Sequence, residues 1–221
     1  MTTQFKFCIA MARKRTWRKS WKSLKRQALV EAVLHVFSVQ GVDGLTMDNV
    51  AKEAGVAKGT LYAYFENKQE LLKTAIEAVI APLVEELGQL LNSDLSPVEK
   101  LRMMTIRHLS YCEEHRNFFR ILIYDRQAAQ ERMRRYKSRL YHDFLQSTAR
   151  VVAQGIEEGL FSPVNPLCIA AMLIESNIAV IHQRLQSENP GPLEEDAAMI
   201  TRTFLYGIVD ETLRKQRSLH A

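Results

Sequence analysis

Residues 46–65 read Thr46-Met-Asp-Asn-Val-Ala-Lys-Glu-Ala-Gly-Val-Ala-Lys-Gly-Thr-Leu-Tyr-Ala-Tyr-Phe65. The first part has apolar or small residues at helical spacing, namely Met47, Val50, Ala51 and Ala54. Gly55 follows, and a glycine can take the left-handed conformation that a tight turn between helices needs. A second short helix from about Ala57 would place Leu61 and Phe65 on its inner face. This pattern predicts a helix-turn-helix, and an αα-hairpin with a polar face is the alternative.

The outward positions of the second helix carry cations or hydrogen-bond donors: Lys58, Thr60, Tyr62 and Tyr64. Such side chains suit a surface that meets the phosphates and base edges of DNA. A core position is the alternative for Tyr62. Ala57 and Ala63 cannot donate hydrogen bonds from their side chains, so base reading would rest on few residues.

The segments on either side of this motif extend it to a three-helix head. Residues 24–40 carry apolar residues along one helical face, and Gly41 is placed to end that helix. Thr46 is a good N-cap for the first helix of the motif. Asn67 and Glu70 form a capping-box signature for a long helix that follows. We therefore expect a DNA-binding domain over residues 24–70.

Helix signals continue along the rest of the chain. Ser96-Pro97-Val98-Glu99 and Asn165-Pro166 are start signals, whereas Gly159 and Asn189-Pro190-Gly191-Pro192 are breaks. They predict helices over 98–113, 118–125, 127–158 and 165–185, and a final helix to about Gln216. The 221 residues include only 9 Gly and 6 Pro, and no internal repeat is evident. The expected fold class is all-α, with a larger helical body over residues 71–221.

Charge is unevenly distributed along the chain. The formal net charge is +5, but residues 1–30 hold nine Lys or Arg and no acid, so residues 31–221 sum to −4. A basic end on a mildly acidic body indicates a polyanionic partner at that end. We expect residues 1–23 to be a disordered basic extension that tracks DNA as an arm. An inert tail, or a true start at Met11, is the alternative.

Cysteine content, hydropathy and the absence of known motifs indicate the cellular compartment and exclude several kinds of activity. Three cysteines without a paired framework favour a reduced cytoplasm, and no apolar run is expected to span a membrane. The chain has no glycine-rich phosphate loop, no nucleophile elbow and no zinc-protease motif, so an enzyme is not expected. His108, Cys112 and His115 lie at i, i+4 and i+7, but a fourth ligand is not evident. We therefore expect neither a metal nor a cofactor.

The helix-turn-helix resembles the DNA-binding signature of the TetR/AcrR-type transcriptional regulators. Order, spacing and residue type agree over about twenty-five consecutive positions, which is more specific than a short motif. The rest of the chain is similar in outline only, through residues 155–161, the helix after Asn165-Pro166, and Phe204-Leu-Tyr-Gly207. The positions that carry the main resemblance are Thr46, Val50, Ala51, Ala54, Gly55, Val56, Lys58, Gly59, Thr60, Leu61, Tyr62, Tyr64, Phe65, Lys68 and Leu71.

The resemblance implies a role in DNA binding for seven residues. Thr46 would bond a phosphate, and Lys58, Gly59 and Thr60 would meet the major groove. Tyr62 and Tyr64 would contact phosphates or nearby bases. Lys68 would contact another phosphate, and the amides at a helix N-terminus beside an ammonium make a natural anion site there.

The resemblance also implies a ligand cavity in the later helices and dimerisation through the last two. Candidates for the cavity are flexible or aromatic residues of the middle helices: Met103, Met104, Phe118, Tyr124, Met133, Tyr136 and Phe144. Candidates for the dimer interface lie on stripes of the last two helices: Ala171, Glu175, Ile178, His182, Phe204, Gly207, Ile208 and Glu211. Internal core is the alternative for both sets, because periodicity cannot separate core from interface.

The predicted protein is thus a ligand-responsive transcriptional regulator, expected to be a repressor. It would bind a palindromic operator in double-stranded DNA as a homodimer in the cytoplasm. A small, mainly apolar or aromatic effector would release it, because no distinctive charged cluster marks the body. The alternative is a DNA-binding regulator or architectural protein without a small-molecule effector.

Overall fold

The computed structural model describes residues 3–125, 130–131 and 139–208, and side chains for residues 24–125, 130–131 and 141–205. The regular structure of these residues is helical, with no strand among them, which confirms the all-α prediction. The helices are α1 (Thr3–Gly44), α2 (Met47–Glu53), α3 (Lys58–Tyr62), α4 (Lys68–Leu91), α5 (Pro97–Glu114), α6 (Arg116–Tyr124), α7 (Arg139–Glu157), α8 (Pro166–Gln186) and α9 (Leu193–Ile208).

The chain divides into two compact units, a head of Met1–Ala78 and a body of Val79–Ala221. The head therefore extends eight residues beyond the expected boundary at residue 70, because the first part of α4 belongs to it. Leu71 and Ala75 are fully buried, so this part of α4 supplies core to the head. The rest of α4 belongs to the body.

Helix α1 begins far upstream of the head's core. Leu29, Val33 and Phe37 are buried at i, i+4 and i+8, whereas residues 24–28 are exposed. The helical backbone includes residues 3–23, which the sequence analysis expected to be disordered. No glycine or proline precedes Gly41, so nothing in the local sequence breaks the helix there. Gly41 itself leaves helical geometry at φ 68°.

The two short helices of the motif close over a common core. Val50 and Leu61 are fully buried, as is Phe65 at 2% exposure. Gly55 has φ 63°, the left-handed conformation expected of the turn. A Cβ at Gly55 would meet nothing within 4 Å, so the backbone angle, and not space, requires glycine there. These contacts match the helix-turn-helix pattern.

Three of the predicted N-caps form as expected. The Thr46 hydroxyl accepts from the Asn49 amide at 3.2 Å, and the Asn165 side chain accepts from the Cys168 amide at 3.1 Å. Ser96 and Glu99 complete a reciprocal capping box. At α4 the arrangement differs from the prediction. Asn67 caps the Glu70 amide at 3.0 Å, but the Glu70 carboxylate accepts from the preceding Glu66 amide and not from Asn67.

The body is organised around α5, α7 and α8, with α9 packed on α5 and α8. Helix α8 is long and apolar enough to cross a membrane by length and composition alone, which the sequence analysis had not anticipated. Its inner face, including Ala170, Leu173 and Ile181, is buried in the body. A single helix that passes this test is weak evidence for a membrane span, because helices of soluble proteins pass it too.

A buried arginine ties the end of α8 to its surroundings. Arg184 is 6% exposed and pairs with Asp196 of α9 at 2.6 Å and with Glu113 of α5 at 3.3 Å. It also donates to the Pro190 and Gly191 carbonyls of the connection to α9. Arg116 of α6 donates to the Arg184 carbonyl at 2.8 Å. Charges or carbonyls of α5, α9 and the connection between α8 and α9 thus converge on the Arg184 guanidinium, and Arg116 holds its backbone carbonyl.

Candidate nucleic-acid interface and body sites

The predicted recognition helix α3 presents a polar outer face. Lys58, Gly59 and Thr60 are exposed, and Tyr62 is 49% exposed, while Leu61 between them is fully buried. The core alternative for Tyr62 is therefore wrong. Leu61 anchors the helix to the head, and its neighbours are left to face solvent. Tyr64, just beyond the helix, is half-buried.

Thr46, which is predicted to contact a phosphate, also accepts a hydrogen bond within the head. Its hydroxyl caps α2 through the Asn49 amide, and its side chain is half-buried. The Asn49 side-chain amide then donates to the Gly44 carbonyl at 2.8 Å and to Gln40 at 3.0 Å. These bonds hold the start of α2 against the end of α1. A hydroxyl that accepts from an amide can still donate its own proton to a phosphate.

Lys58 has an ion-pair partner that the sequence analysis missed. Its ammonium lies 2.6 Å from an Asp48 carboxylate oxygen, and both side chains are largely exposed. The hydrogen bond to Asp48 raises the pKa of Lys58, so the ammonium stays charged. Asp48 lies ten residues away on α2, and no local pattern relates the two positions. The Lys58 ammonium thus already has a carboxylate beside it, at the surface predicted to face DNA.

Lys68 lies at the first position of α4 and is half-buried. The Glu70 carboxylate occupies the same first turn and accepts from the Glu66 amide. A carboxylate there has already used one of the amides that an incoming phosphate would bind. A phosphate contact at Lys68, as predicted, would therefore depend on the ammonium more than on the helix end.

The predicted ligand-pocket residues are mostly packed into the body. Met104, Phe118 and Phe144 are buried, and the Thr148 hydroxyl contacts the Met104 sulfur at 3.7 Å. Met103 is half-buried. Tyr124 is 50% exposed, and its hydroxyl donates to the His182 carbonyl at 3.3 Å. Met133 and Tyr136 lie outside the described residues. Of the five described residues, three are thus buried, one is half-buried and one is exposed, and none lines the recess found in the body.

The body has a recess that is lined by other residues than those predicted for the ligand pocket. It lies between α5, α8 and α9, opens to solvent and has a cavity volume of about 10 Å³, room for about one water molecule. None of its residues was among the predicted pocket residues, because the sequence pattern marked methionines and aromatics of the middle helices. The lining consists of Leu101, Thr105, Ile169, Leu173, Thr201, Phe204 and Leu205.

The predicted dimer stripe on α8 is only partly covered by the body. Ala171, Ile178 and His182 are half-buried and Glu175 is exposed. The Tyr141 hydroxyl lies 3.4 Å from a Glu175 carboxylate oxygen. Two large apolar side chains of this helix are also exposed, Leu167 at 43% and Met172, which lies on the same predicted stripe, at 51%.

Of the predicted dimer stripe on α9, the structure describes the side chain of Phe204. Phe204 is half-buried and lines the recess, whereas Met199 is 48% exposed and Arg202 and Thr203 are exposed. Both faces of this helix carry apolar residues, so periodicity alone does not show which one faces the body. The side chains of Gly207 and Ile208, and the whole of Glu211, lie outside the described residues.

The histidines and cysteine of α5 do not gather into a ligand set. Among the residues that the structure describes, no group of three His, Cys, Asp or Glu side chains is placed to hold a metal. Burial raises the pKa of the Cys112 thiol well above its usual range and lowers the pKa of His108 to about 4. The ring of His115 packs on Tyr111 at 4.4 Å.

Comparison with known proteins extends the match over both units. The model of "Bacterial regulatory proteins, tetR family" matches residues 29–75, and that of "Tetracyclin repressor-like, C-terminal domain" matches residues 94–182. The two matches together cover more than half of the chain. The uncharacterized HTH-type transcriptional regulator YfiR of Bacillus subtilis is 29% identical over 197 residues, spanning 82% of this chain and 92% of that protein.

Solved structures of regulators share the fold. The complex of SmeT, a repressor from Stenotrophomonas maltophilia, with triclosan aligns with a TM-score of 0.70 at 23% identity, covering 85% of this chain and 92% of SmeT. The fatty acid degradation regulator FadR of Bacillus halodurans aligns with a TM-score of 0.69 at 21% identity, covering 82% and 94%.

Head and body therefore both match one family, in the order and at the positions that the helices occupy. The members of that family are DNA-binding transcription factors and not enzymes. The chain belongs to the tetR family of bacterial regulatory proteins.

Proposed function

We propose that this regulator is a cytoplasmic repressor that binds a palindromic operator as a homodimer and is released by a small effector. The observation that carries the proposal is the outer face of α3, where exposed Lys58, Thr60 and Tyr62 surround the buried anchor Leu61. An anchored short helix with exposed donors is the arrangement by which a helix-turn-helix reads the major groove.

The predicted contacts divide by chemistry into two groups. Lys58, Gly59 and Thr60 would approach base edges from the start of α3. Thr46, Tyr62, Tyr64 and Lys68 would contact the phosphates on either side. Phosphate contacts set position and affinity, whereas base contacts set sequence preference.

Dimerisation is supported by the outer surface of α8. Leu167 and Met172 leave large apolar side chains in solvent, and the small residue Ala171 lies between them in sequence. Two copies of such a face bury each other about a two-fold axis, because an isologous interface uses the same patch twice. On α9, the exposed Met199 belongs to the same proposed interface, in place of Phe204.

The effector is proposed to be mainly apolar or aromatic. The body residues that the structure describes are predominantly apolar inside, and the related fold of SmeT carries triclosan. FadR of Bacillus halodurans is named for fatty acid degradation. A ligand releases DNA only if it binds the DNA-incompetent state more tightly than the competent one.

The proposal is tested on operator fragments selected from the source genome. The full chain should bind a two-fold symmetric sequence with two protomers per site, and sedimentation should show a dimer at micromolar concentration. Triclosan and a long-chain fatty acid are suitable first effectors, with DNA release followed by fluorescence anisotropy. A monomer bound to an asymmetric site would contradict the proposal.

Regulation without an effector is the second candidate, and it is favoured by the close packing of Met104, Phe118 and Phe144. The variant Met103→Trp distinguishes the two candidates, because Met103 is half-buried next to the buried Met104 in α5, and a larger ring there would fill space that an effector could use. An effector response that disappears while DNA binding stays intact supports the first candidate. Failure of every apolar probe to change DNA binding supports the second.

The basic extension is proposed to add affinity for the DNA that flanks the operator. Residues 1–22 carry seven Lys or Arg and no acid. Among the described side chains, which begin at residue 24, the first that is buried is Leu29. Each phosphate that the extension neutralises adds about 0.9 to the slope of log affinity against log salt.

Deletion of residues 1–22 is therefore expected to flatten the salt dependence of DNA binding by several units while leaving sequence preference unchanged. The measurement is a titration of operator DNA at several salt concentrations with the full and shortened chains. Circular dichroism melting of both chains serves as the folding control. An unchanged slope and an unchanged affinity would show an inert tail.

A further inference from the structure

Helix α1 continues upstream of the part that packs in the head. It runs from Thr3 to Gly44, and its helical dihedrals are interrupted at Gly41, so the backbone before that glycine is one helix. From Leu29 to Phe37 one face of α1 is buried, and α1 packs on α2. Residues 24–28 are exposed. The buried face therefore ends, among the described side chains, at Leu29, while the helix goes on.

The basic residues of the upstream part have the same register as the buried face. Residues 18 positions apart share a face, because they are about five turns of 3.6 residues apart. Four basic residues lie 18 positions before buried ones, namely Lys14 before Ala32, Arg15 before Val33, Arg18 before Val36 and Lys19 before Phe37. Three more lie seven positions, or about two turns, before buried ones, namely Lys22 before Leu29, Lys25 before Ala32 and Arg26 before Val33. We call these seven residues the basic stripe.

The other two basic residues of this region lie on a different face. Lys6 is 18 positions before Leu24, which is 57% exposed, and Arg13 is 18 positions before the exposed Glu31. Cations that only kept a tail soluble would have no reason to follow one face of the helix. The same face is thus apolar where α2 covers it and basic where the head's core has ended.

Nothing in the upstream sequence balances the charge of the stripe. Its members recur three and four residues apart, as at Arg15, Arg18, Lys22 and Arg26, and the first acid of the chain is Glu31. Like charges at this spacing destabilise a free helix, so a row of anions along the stripe would stabilise it. From Lys14 to Arg26 the helix rises about 18 Å, a length over which each strand of B-DNA has about five phosphates.

We propose that residues 14–26 bind DNA as a helix, with the basic stripe lying along the phosphates that flank the operator. DNA is favoured over other polyanions because the stripe continues the face of α1 that packs on α2, and α2 and α3 carry the contacts proposed for the operator. The inference rests on the proposed function, in which the basic extension adds affinity. It goes further in assigning that affinity to one face of a helix.

Two double variants of the full chain, which remove the same charge, test the face. Arg15→Gln with Arg18→Gln changes the stripe, and Lys6→Gln with Arg13→Gln changes the other face. Glutamine is a good helix former, so the helix is kept in both. On operator DNA with long flanks, the stripe variant should lower the slope of log affinity against log salt by about 1.8 units, twice the 0.9 expected per phosphate. The control should leave the slope unchanged.

Further measurements test the helix and the position on DNA. Ser20→Pro keeps every charge but interrupts the helix, because proline removes a backbone hydrogen bond and clashes with the preceding turn. It should flatten the salt dependence too, since the stripe before residue 20 loses its register with the head. On DNA trimmed to the operator, the stripe variant and the control should bind alike. Equal thermal melting by circular dichroism would show that the head folds in each variant.

The outcomes separate this inference from the proposed function. If deletion of residues 1–22 flattens the slope but the two double variants do so equally, or Ser20→Pro has no effect, the extension binds DNA as a disordered arm and the helical face is wrong. If the deletion has no effect, both proposals fail. If the stripe variant keeps its salt slope but binds phosphatidylglycerol vesicles more weakly, the stripe belongs to a membrane surface, which basic helix faces also bind.

Discussion

Lys58→Ala and Thr60→Ala are each expected to change which bases the regulator prefers, at a cost of about 1–3 kcal/mol at specific operator positions. Both residues are exposed at the start of α3, and the buried Leu61 fixes the helix beneath them. Because alanine keeps the helix, the loss falls on contacts to base edges. The measurement is competition between the selected operator and single-base variants of it.

Lys68→Ala is the matched comparison for this prediction. It removes one phosphate contact, so binding should weaken about equally on all sequences, and the salt slope should fall by about one unit. If Lys68→Ala altered base preference and left affinity intact, the division of roles between α3 and the start of α4 would be wrong.

The ion pair between Lys58 and Asp48 can be tested with a second variant. Asp48→Asn removes the carboxylate that lies 2.6 Å from the Lys58 ammonium and keeps the shape of the side chain. Without that competitor, and with one negative charge fewer near DNA, operator binding should become tighter. Weaker binding of Asp48→Asn would mean instead that the carboxylate holds Lys58 in the orientation that DNA requires.

Arg184→Leu is expected to destabilise the body by about 3 kcal/mol, near the lower end of the cost of breaking a buried ion pair. The arginine side chain is 7% exposed, but its partners Glu113 and Asp196 are 33% and 28% exposed, so water partly compensates the carboxylates left behind. The carbonyls of the connection between α8 and α9 lose their donor too. Thermal melting should show a decrease of roughly 6–12 °C.

Arg107→Leu is the control for the Arg184 prediction. Arg107 also pairs with two carboxylates, those of Glu86 and Glu114, but its side chain is 29% exposed. Solvent screens such pairs, so the expected loss is about 1 kcal/mol or less.

Because Arg184 joins α8 to α9, its replacement should also weaken the proposed dimer in sedimentation. An Arg184→Leu variant as stable as the unchanged chain would show that the ion pairs and hydrogen bonds of Arg184 contribute nothing to stability.

The head could be predicted almost entirely from the sequence. Its helices are set by apolar residues three and four apart, its turn by a glycine at φ 63°, and its first cap by the Thr46 hydroxyl. Each of these depends on interactions within a few residues, which a sequence displays directly. The capping box at Ser96 and Glu99 was predictable for the same reason.

The helices of the body could be predicted from the sequence, but which of their side chains are buried and which are exposed could not. The side of α9 that faces the body could not be predicted from periodicity, because Phe204, which lines the recess, and the exposed Met199 are both apolar. The partner of Lys58 was missed because Asp48 lies ten residues away, on the other helix of the motif. The recess requires three helices that are distant in sequence to come together.

The sequence by itself determined the family, the helical fold and the positions of the turn and caps, since these rest on local periodicity and hydrogen bonding. The packing of the helices was needed to show which side chains of α9 are exposed and which carboxylates Arg184 contacts. Those outcomes depend on how helices pack side by side, and packing joins residues whose separation along the chain carries no pattern.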